Sequence, residues 1–498
     1  MATEADILAA RRQRAEKLAE QGVELFPARV PRPLDRTPEI VSKYGDLDAE
    51  ALEKAATHVT IAGRISSIRS FGKAAFAVVR ADGVGLQVWV KKNQLGEERY
   101  AEFKLYETGD FMYARGPLIR TKTDELTVDA AEIGFLGKSY RPLPEKWHGL
   151  QDVEQRYRQR YLDLLANEDA RRIALIRSRT TTEVRRFLDA QDFVEVETPV
   201  LQPLYGGANA RPFTTHHNTY DTDLYLRISL ELYLKRAIIG GLDRVYEVGR
   251  NFRNEGVDRS HNPEFSMLEV YQAYADYTDM MDLAEQLISN VALRVLGTQQ
   301  IEREGVTIDL APPWPRRGMA QLIRDACGID IESARDLDSL AQAVRDSNLE
   351  GVDLKHAKTW ALLVDEVFGA AVEPDLIQPI FVVDYPTELS PLAKRHCEDP
   401  NIVERFEAFI AGMELCNAFS ELNDPDDQRA RFEAQREAAE RGDEEAHPVD
   451  QDFLRALEHG MPPTGGMGLG IGRLAMVLSG ASHLRETKLF PYMRPRDD

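Results

Sequence analysis

The sequence predicts an α+β protein with two domains, a small N-terminal β-barrel and a larger domain in which helices flank an antiparallel sheet. Three observations lead to this prediction. The 498 residues, 43% hydrophobic and 29% charged, suffice for more than one buried core. Apolar residues alternate with polar ones in stretches between residues 58 and 140, as in antiparallel strands. Beyond residue 146, helical and strand periodicities follow one another.

Residues 1–145 are predicted to form an N-terminal helix and the barrel. The opening MATEADILAARRQRAEKLAEQG is charged, has a helical pattern and lacks the apolar region of a signal peptide. One barrel face then carries cations, an amide and aromatic rings, which suit single-stranded bases: Arg69, Lys73, Phe76, Gln87 and Trp89. A barrel with an aromatic core explains the same rings equally well.

Residues 146–498 are predicted to form the second domain. The segment RPLPEKWHGLQD is a proline-bearing connector, and it places the domain boundary between residues 145 and 146. The segment TTTEVRRFLDAQ has helical spacing and gives way to the strand-like DFVEVETPVL. The acidic stretch near 424–452 is most simply a solvated helix and loop.

Charge and cysteine content exclude several classes of protein. The net charge of −21 argues against a protein whose main function is to hold a nucleic-acid backbone. Residues 58–140, however, contain 12 Lys and Arg against 10 Asp and Glu, so any nucleic-acid contact is expected there. No apolar run reaches the length of a bilayer span, and the cysteines are few and far apart. We therefore expect a cytoplasmic protein without a membrane partner, a disulfide framework or a thiolate zinc site.

The segment FRNEGVDRSHNPEF combines residue types that suit a nucleotide. Arg253 is able to hold an α-phosphate or a carboxylate in a fork, and Glu255 a base amino group. His261 or Arg259 suits a terminal phosphate, and Phe265 suits a stacked adenine. An exposed, salt-bridged loop is an equally good explanation of this cluster taken alone.

Two further segments carry candidate ligand-binding residues. In PPTGGMGLGIGRLAM, glycines precede Arg473 and allow the backbone to approach a ligand, although a tight strand-to-helix junction has the same pattern. In FEAFIAGMELCNAFSELND, Glu407 and Glu414 lie seven residues apart, which is about two helical turns, so that they could share one face of a helix, or opposite faces of a strand. Carboxylates without His or Cys suit Mg²⁺, whereas a solvated helix is the commoner origin of that spacing.

Taken together and in order, these segments resemble the motifs of the class II aminoacyl-tRNA synthetases, and in detail the lysine-specific enzymes of bacterial type. The resemblance covers nearly the whole chain. It rests on GRISSIRSFGKAAF, RPLPEKWHGLQDVEQRYRQRYLDL, GGANARPFTTHHN, FRNEG with HNPEF, FSELND and LRETKLFPYMRP.

The resemblance implies an N-terminal OB-fold that reads the anticodon, a catalytic domain on an antiparallel sheet, and a homodimer formed partly through the motif ending at Pro199. It implies ATP, L-lysine and tRNA(Lys) as substrates and Mg²⁺ as cofactor. The implied catalytic residues are Arg253 and Arg473. The other implied sites are Arg253, Glu255, His261, Phe265 and Arg473 for ATP; Glu407 and Glu414 for Mg²⁺; Gly207, Glu231, Glu269, Tyr271, Asn417 and Glu421 for lysine; Arg69, Phe76, Gln87 and Glu132 for the anticodon.

The charge of the implied amino-acid pocket agrees with lysine. Glu231 and Glu421 provide two carboxylates, and Tyr271 a hydroxyl, for one buried ammonium. Analogues that lack the ammonium would leave these groups unpaired.

One position departs from the family pattern, because Gly472 stands where an acidic residue usually precedes the arginine of motif 3. We expect another carboxylate or the backbone to orient Arg473 instead. Two alternative functions remain: activation of lysine or a related amine for an acceptor other than tRNA, and a non-catalytic RNA-binding or regulatory role.

Overall fold

The computed structural model describes residues 3–144, 150–208, 210–354, 357–440 and 448–495. The chain divides into two compact units, Met1–Glu168 and Asp169–Asp498. The domain boundary predicted between residues 145 and 146 lies outside the described residues, so the two domain ranges stay a prediction.

The first unit contains the predicted N-terminal helix and barrel. Thr3 and Asp6 form a capping box at the start of the first helix. Among the described residues, six strands pair in the order β1-β2-β3-β5-β4-β6, and an additional β1–β4 pairing closes the barrel. The elements of this unit are α1 (Glu4–Glu20), α2 (Thr37–Tyr44), α3 (Ala49–Ala55), β1 (His58–Phe71), β2 (Ala74–Ala81), β3 (Val84–Lys91), α4 (Lys92–Leu95), α5 (Glu97–Phe103), β4 (Phe111–Arg120), β5 (Leu126–Asp129), β6 (Glu132–Gly137), α6 (Val153–Arg158) and α7 (Arg160–Ala166).

The second unit is built on a mainly antiparallel sheet, as the mixed periodicities predict. Its elements are α8 (Glu168–Asp189), β7 (Val194–Glu195), β8 (Leu201–Gln202), β9 (Thr214–His217), β10 (Thr222–Leu226), α9 (Glu231–Ile239), β11 (Arg244–Phe252), β12 (Glu264–Ala273), α10 (Tyr277–Leu296), β13 (Gln300–Arg303), β14 (Val306–Asp309), β15 (Arg316–Gly318), α11 (Met319–Cys327), α12 (Leu337–Ser347), α13 (Trp360–Ala371), β16 (Ile380–Pro386), β17 (Ile402–Ile410), β18 (Met413–Ser420), α14 (Pro425–Glu440), α15 (Gln451–Glu458), β19 (Thr464–Gly470), α16 (Ile471–Ser479) and α17 (Leu484–Thr487).

Within the described part of this unit, eight strands form one sheet in the order β15-β16-β17-β18-β19-β12-β11-β7. The outer pairs β15–β16 and β7–β11 are parallel, and the pairs between them are antiparallel. Helices α8, α10 and α16 bury one sheet face in the main core. Helices α11, α12 and α13 enclose a second core within the segment 275–402, whose role the sequence left open. No helix among the described residues is long and apolar enough to cross a bilayer.

The expectation that Glu407 and Glu414 share a helix face is wrong. Glu407 lies on β17 and Glu414 on β18, the two strands of a hairpin. Ala411 and Gly412 form its turn with positive φ angles of 56° and 66°. The apolar residues that alternate along both strands are buried in the sheet core, and this burial stabilises strands where the spacing of the two glutamates alone suggested a helix.

Candidate active site and barrel surface

Strand alternation places polar residues on one face of the large sheet. On β12, Leu268 and Val270 enter the core, whereas Glu269 and Tyr271 face the other way. On β19, glycines occupy the positions opposite the buried methionine and leucine, so this strand leaves open space above the sheet. The combined pattern creates a cleft over the middle strands of the sheet.

All six residues predicted around the amino acid line a single cavity in this cleft. They come from the loop before β9, from α9, from β12, from β18 and from the position directly after β18: Gly207, Glu231, Glu269, Tyr271, Asn417 and Glu421. Gly207 has a φ angle of +86°, and a Cβ atom there would lie 2.9 Å from Ser229 Oγ. Gly466 is in close contact with the carboxylate of Glu421, because a Cβ atom on it would lie 1.9 Å from Oε1.

Glu269 is fully enclosed and well supplied with hydrogen bonds. The hydroxyl of Ser229 and the amide of Leu230 donate to its Oε1 at 3.1 and 3.2 Å. The Tyr271 hydroxyl donates to Oε2 at 3.1 Å. Burial, followed by the negative charge of Glu231, raises the pKa of Glu269 to about 7. Its charge therefore changes near neutral pH.

Glu231 and Glu421, assigned from the sequence to a substrate ammonium, contact an ammonium of the chain itself. Lys235 Nζ lies 2.5 Å from Glu231 Oε1 and also pairs with Glu421 Oε2. Burial raises the pKa of both carboxyls, while the lysine charge opposes that rise. Lys235 is itself absent from the lining of the cavity. The two carboxylates therefore separate this lysine from the open space.

A second cavity adjoins the first and contains the predicted nucleotide residues. Its lining includes Arg253, Glu255, His261, Phe265 and Arg473. Arg253 also lines the first cavity, and its guanidinium lies 5.1 Å from the ring centroid of Phe265. Burial lowers the pKa of Arg253, and the nearby Glu255, Glu269 and Glu414 oppose that change. One cation thus stands where the two cavities meet.

Glu414 orients Arg473 through two hydrogen bonds, one to its backbone carbonyl and one to its carboxylate. Arg473 Nη1 donates to the Glu414 carbonyl at 2.9 Å and to its Oε2 at 2.8 Å. Arg473 Nη2 also lies 3.2 Å from His261 Nε2. A Cβ atom on Gly472 would lie 2.7 Å from Leu484 Cδ1. The expectation that another carboxylate or the backbone orients Arg473 is confirmed, since Glu414 supplies both.

Glu407, unlike the other residues predicted for the catalytic site, lines neither cavity. Tyr385 donates a hydrogen bond to its Oε2 at 2.8 Å, and Arg405 pairs with Oε1 at 2.5 Å. Burial raises its pKa to about 7, Arg405 opposes that change, and Glu414 adds to it. Two nearby carboxylates that repel each other are a donor set that a hard cation stabilises. Among the described residues, no cluster of three or more His, Cys, Asp or Glu side chains forms a metal site.

Sequence reasoning missed Lys235 and Arg405. Lys235 lies four residues after Glu231, and this i,i+4 spacing on a helix was the available signal. Arg405 lines the amino-acid cavity and donates to Asn417 Oδ1 at 3.0 Å and to Ser390 Oγ at 2.8 Å. Its spacing of two from Glu407 places both on one side of a strand.

The barrel surface brings Arg69, Phe76 and Trp89 into one cross-strand row, since Arg69 pairs with Phe76 and Phe76 with Trp89. The two rings stack with centroids 5.5 Å apart, and both are half-buried, so Phe76 is not a core residue. Gln87, on the same strand as Trp89, donates to Thr127 Oγ1 at 3.3 Å. Glu132 lies apart from this row on β6, where Tyr113 and Arg115 each donate to it at 3.0 Å.

Comparisons with known proteins agree with this geometry. The family model described as tRNA synthetases class II (D, K and N) matches residues 152–494, and the model of the OB-fold nucleic acid binding domain matches residues 59–136. A relative from Chloroflexus aurantiacus, named lysine–tRNA ligase, is 51% identical over 492 residues, 98% of each chain. Relatives of the same name from Pelotomaculum thermopropionicum and Bacillus subtilis are 49% and 47% identical over 99% of this chain and over 96% and 98% of their own lengths.

Proposed function

The chain belongs to the class II tRNA synthetases (D, K and N), and on this premise we propose that it ligates lysine to tRNA with ATP as co-substrate. The resemblance inferred from the motifs and the predicted OB-fold are thereby confirmed. The observation that carries the proposal is a cavity with buried carboxylates that adjoins a second cavity through Arg253. A buried cluster of carboxylates favours a cationic side chain and repels an acidic one.

Both steps of the reaction use groups that the two cavities bring together. A carboxylate oxygen of lysine attacks the α-phosphorus of ATP, and pyrophosphate leaves with the electrons of the broken P–O bond. A ribose hydroxyl at the 3′ end of tRNA then attacks the carbonyl carbon of lysyl-adenylate, and AMP leaves. Arg253, at the junction, holds the lysine carboxylate and the α-phosphate together. Phe265 stacks on the adenine, and Glu255 binds the adenine amino group. Arg473 and His261 bind the terminal phosphate.

In the first cavity, Glu231, Glu421 and Tyr271 receive the side-chain ammonium of lysine. Glu269, Asn417 and the backbone at Gly207 surround the rest of the amino acid: all six line this space. Because these groups are buried, an analogue without the ammonium leaves them unpaired and binds weakly.

In this proposal, Glu407 and Glu414 are the residues that would hold Mg²⁺. The support is chemical, since both groups are carboxylates and each already binds a cationic side chain, Arg405 or Arg473. When bound there, Mg²⁺ would supply positive charge that offsets the negative charge of the ATP phosphates. We expect the Glu407→Gln variant to need a higher Mg²⁺ concentration for half-maximal activity. An unchanged Mg²⁺ titration of activity would contradict the assignment.

The barrel reads the anticodon through Phe76, Arg69, Gln87 and Glu132. The exposed position of Arg69 and the half-buried ring of Phe76 support a stacking surface with an adjacent cation.

A tRNA substrate also agrees with the cytoplasm as the place of action, which fractionation of the source cells tests. Recovery in a membrane fraction would contradict that location.

Two copies of the chain form a homodimer partly through the segment that ends at Pro199. Exposed apolar side chains lie within this segment and directly after it: Val194 is 50%, Val200 40% and Leu201 48% exposed. We expect sedimentation to give twice the mass of one chain and the Val200→Lys, Leu201→Lys variant to dissociate. A monomeric wild-type protein would refute the dimer.

Lysine-dependent ATP–pyrophosphate exchange, followed by tRNA charging, tests the proposed function. We expect Arg253→Ala to lower exchange by about 10²- to 10³-fold or more, because a charge that stabilises the transition state is lost. Arg250→Ala is a matched control three residues earlier, on β11, since that side chain is 59% exposed. Exchange without charging would favour a different acceptor, and the absence of both would favour a non-catalytic role.

A further inference from the structure

Lys235 is a buried cation behind the amino-acid cavity. Its side chain is 0% exposed, as is that of Glu421, and Glu231 is 8% exposed. The lysine reaches the two carboxylates from α9, and its ammonium also lies 5.5 Å from the ring centroid of Phe419. Burying an unpaired charge is unfavourable, so this lysine depends on both carboxylates to remain charged.

On the side that faces the cavity, the two carboxylates are still able to bind a second cation. Glu231 and Glu421 line the open space, whereas Lys235 does not. Glu421 Oε1 is buried, and no hydrogen-bond donor among the described residues reaches it. A buried carboxylate oxygen without a donor is available to a partner from outside the fold. The geometry therefore leaves room for a second cation on the opposite side of the same two carboxylates.

The net charge of the two carboxylates and Lys235 favours a singly charged second cation. Two carboxylates with Lys235 carry one net negative charge, which one substrate ammonium balances. Without Lys235, two uncompensated carboxylates would lie close together in a low-dielectric site, and one of them would take up a proton. A proton there competes directly with the substrate ammonium.

We propose that Lys235 is a positioning residue that holds Glu231 and Glu421 from behind and sets the pocket to accept one ammonium. The proposal rests on the proposed function, because the substrate cation is the side chain of lysine. Substrate and Lys235 then enclose the carboxylates as two ammonium groups on opposite sides. Burial alone would lower the pKa of Lys235, but Glu231 and Glu421 raise it above its ordinary value. The Lys235 side chain therefore stays positively charged.

The role of Lys235 is tested by comparing the wild type, Glu231→Gln and the double variant Glu231→Gln, Lys235→Met. Lysine-dependent ATP–pyrophosphate exchange gives the KM for lysine and the KM for ATP separately. In Glu231→Gln, Lys235 fully neutralises Glu421, so we expect the KM for lysine to rise steeply. Adding Lys235→Met restores one net negative charge, and we expect the double variant to have a lysine KM at least about tenfold lower than the single Gln variant. The KM for ATP stays the same throughout.

Both the Gln variant and the double variant bury no excess charge beyond that of the wild type, so the comparison does not depend on whether Lys235→Met alone folds. A purely structural Lys235 would give a double variant with lysine KM equal to or higher than that of Glu231→Gln, and this result would overturn the proposal. Inactive wild-type protein would instead refute the proposed function.

The barrel offers a matched control for the loss of a buried lysine. Lys138 is also 0% exposed and pairs with two carboxylates, Glu107 at 2.7 Å and Asp110 at 2.9 Å. We expect Lys138→Met to lower the thermal unfolding midpoint without changing the lysine KM. A rise in lysine KM in Lys138→Met equal to that in Glu231→Gln would show a general effect of destabilisation and would also overturn the proposal.

Discussion

Gly466 is the position at which one added methyl group tests the amino-acid cavity most directly. It lies on β19 between Tyr271 of β12 and Phe419 of β18. A Cβ atom there would lie 1.9 Å from Glu421 Oε1 and 2.6 Å from Tyr271 Cε1. Both distances are far below van der Waals contact, so Gly466→Ala must displace the carboxylate, the ring or both.

The displaced Glu421 loses its place beside the ammonium of lysine. A hydrogen bond to a charged group contributes about 1.5–3 kcal/mol, which corresponds to about a 10- to 150-fold rise in the KM for lysine. The KM for ATP is expected to remain near that of the wild type, because Gly466 does not line the nucleotide cavity. Pyrophosphate exchange with lysine and ATP varied separately measures both quantities.

Gly470→Ala is the control on the same strand. The nearest atom to a Cβ there is Arg473 Cβ at 3.7 Å, an ordinary contact, so we expect the lysine KM of this variant to match the wild type. If Gly466→Ala kept a wild-type lysine KM, or if Gly470→Ala raised it equally, the reasoning from the close contact with Glu421 would be refuted.

Two further predictions concern pH and tRNA. Glu269 has a pKa raised to about 7, so lowering the pH through that value protonates a carboxylate of the pocket, and we expect the lysine KM to rise between pH 8 and pH 6 while the substrate ammonium stays charged. A lysine KM that is constant over this interval would contradict the role of Glu269. Phe76→Ala removes a stacking ring worth about 1–3 kcal/mol per base, so the tRNA KM should rise about 5- to 150-fold with exchange unchanged. Phe111→Ala, on another barrel strand and 36% exposed, is the control, and equal tRNA KM values in the two variants would leave Phe76 without a role in binding.

The local elements and the candidate residues follow from the sequence because their signals are short-range. Alternation in residues 58–140 predicts the strands of the barrel, and helical spacing predicts α8. The residues that the resemblance assigned to lysine, ATP and Mg²⁺ all line one of the two cavities except Glu407, which lines neither. The helix expected for Glu407 and Glu414 failed because a spacing of seven fits a helix and a hairpin alike, and only the buried partners decide between them.

The kind of chemistry therefore follows from the order of amino acids: carboxylates for an ammonium, an arginine between two ligands and aromatic stacking surfaces. Which distant residues meet depends on how the chain folds. Lys235 pairs with Glu421, 186 positions away, and Arg473 with Glu414, because the order and register of β12, β19 and β18 bring these segments together. Periodicity records only which side of its own element a residue faces, and the partner across the cleft depends on packing between elements that are far apart in the chain.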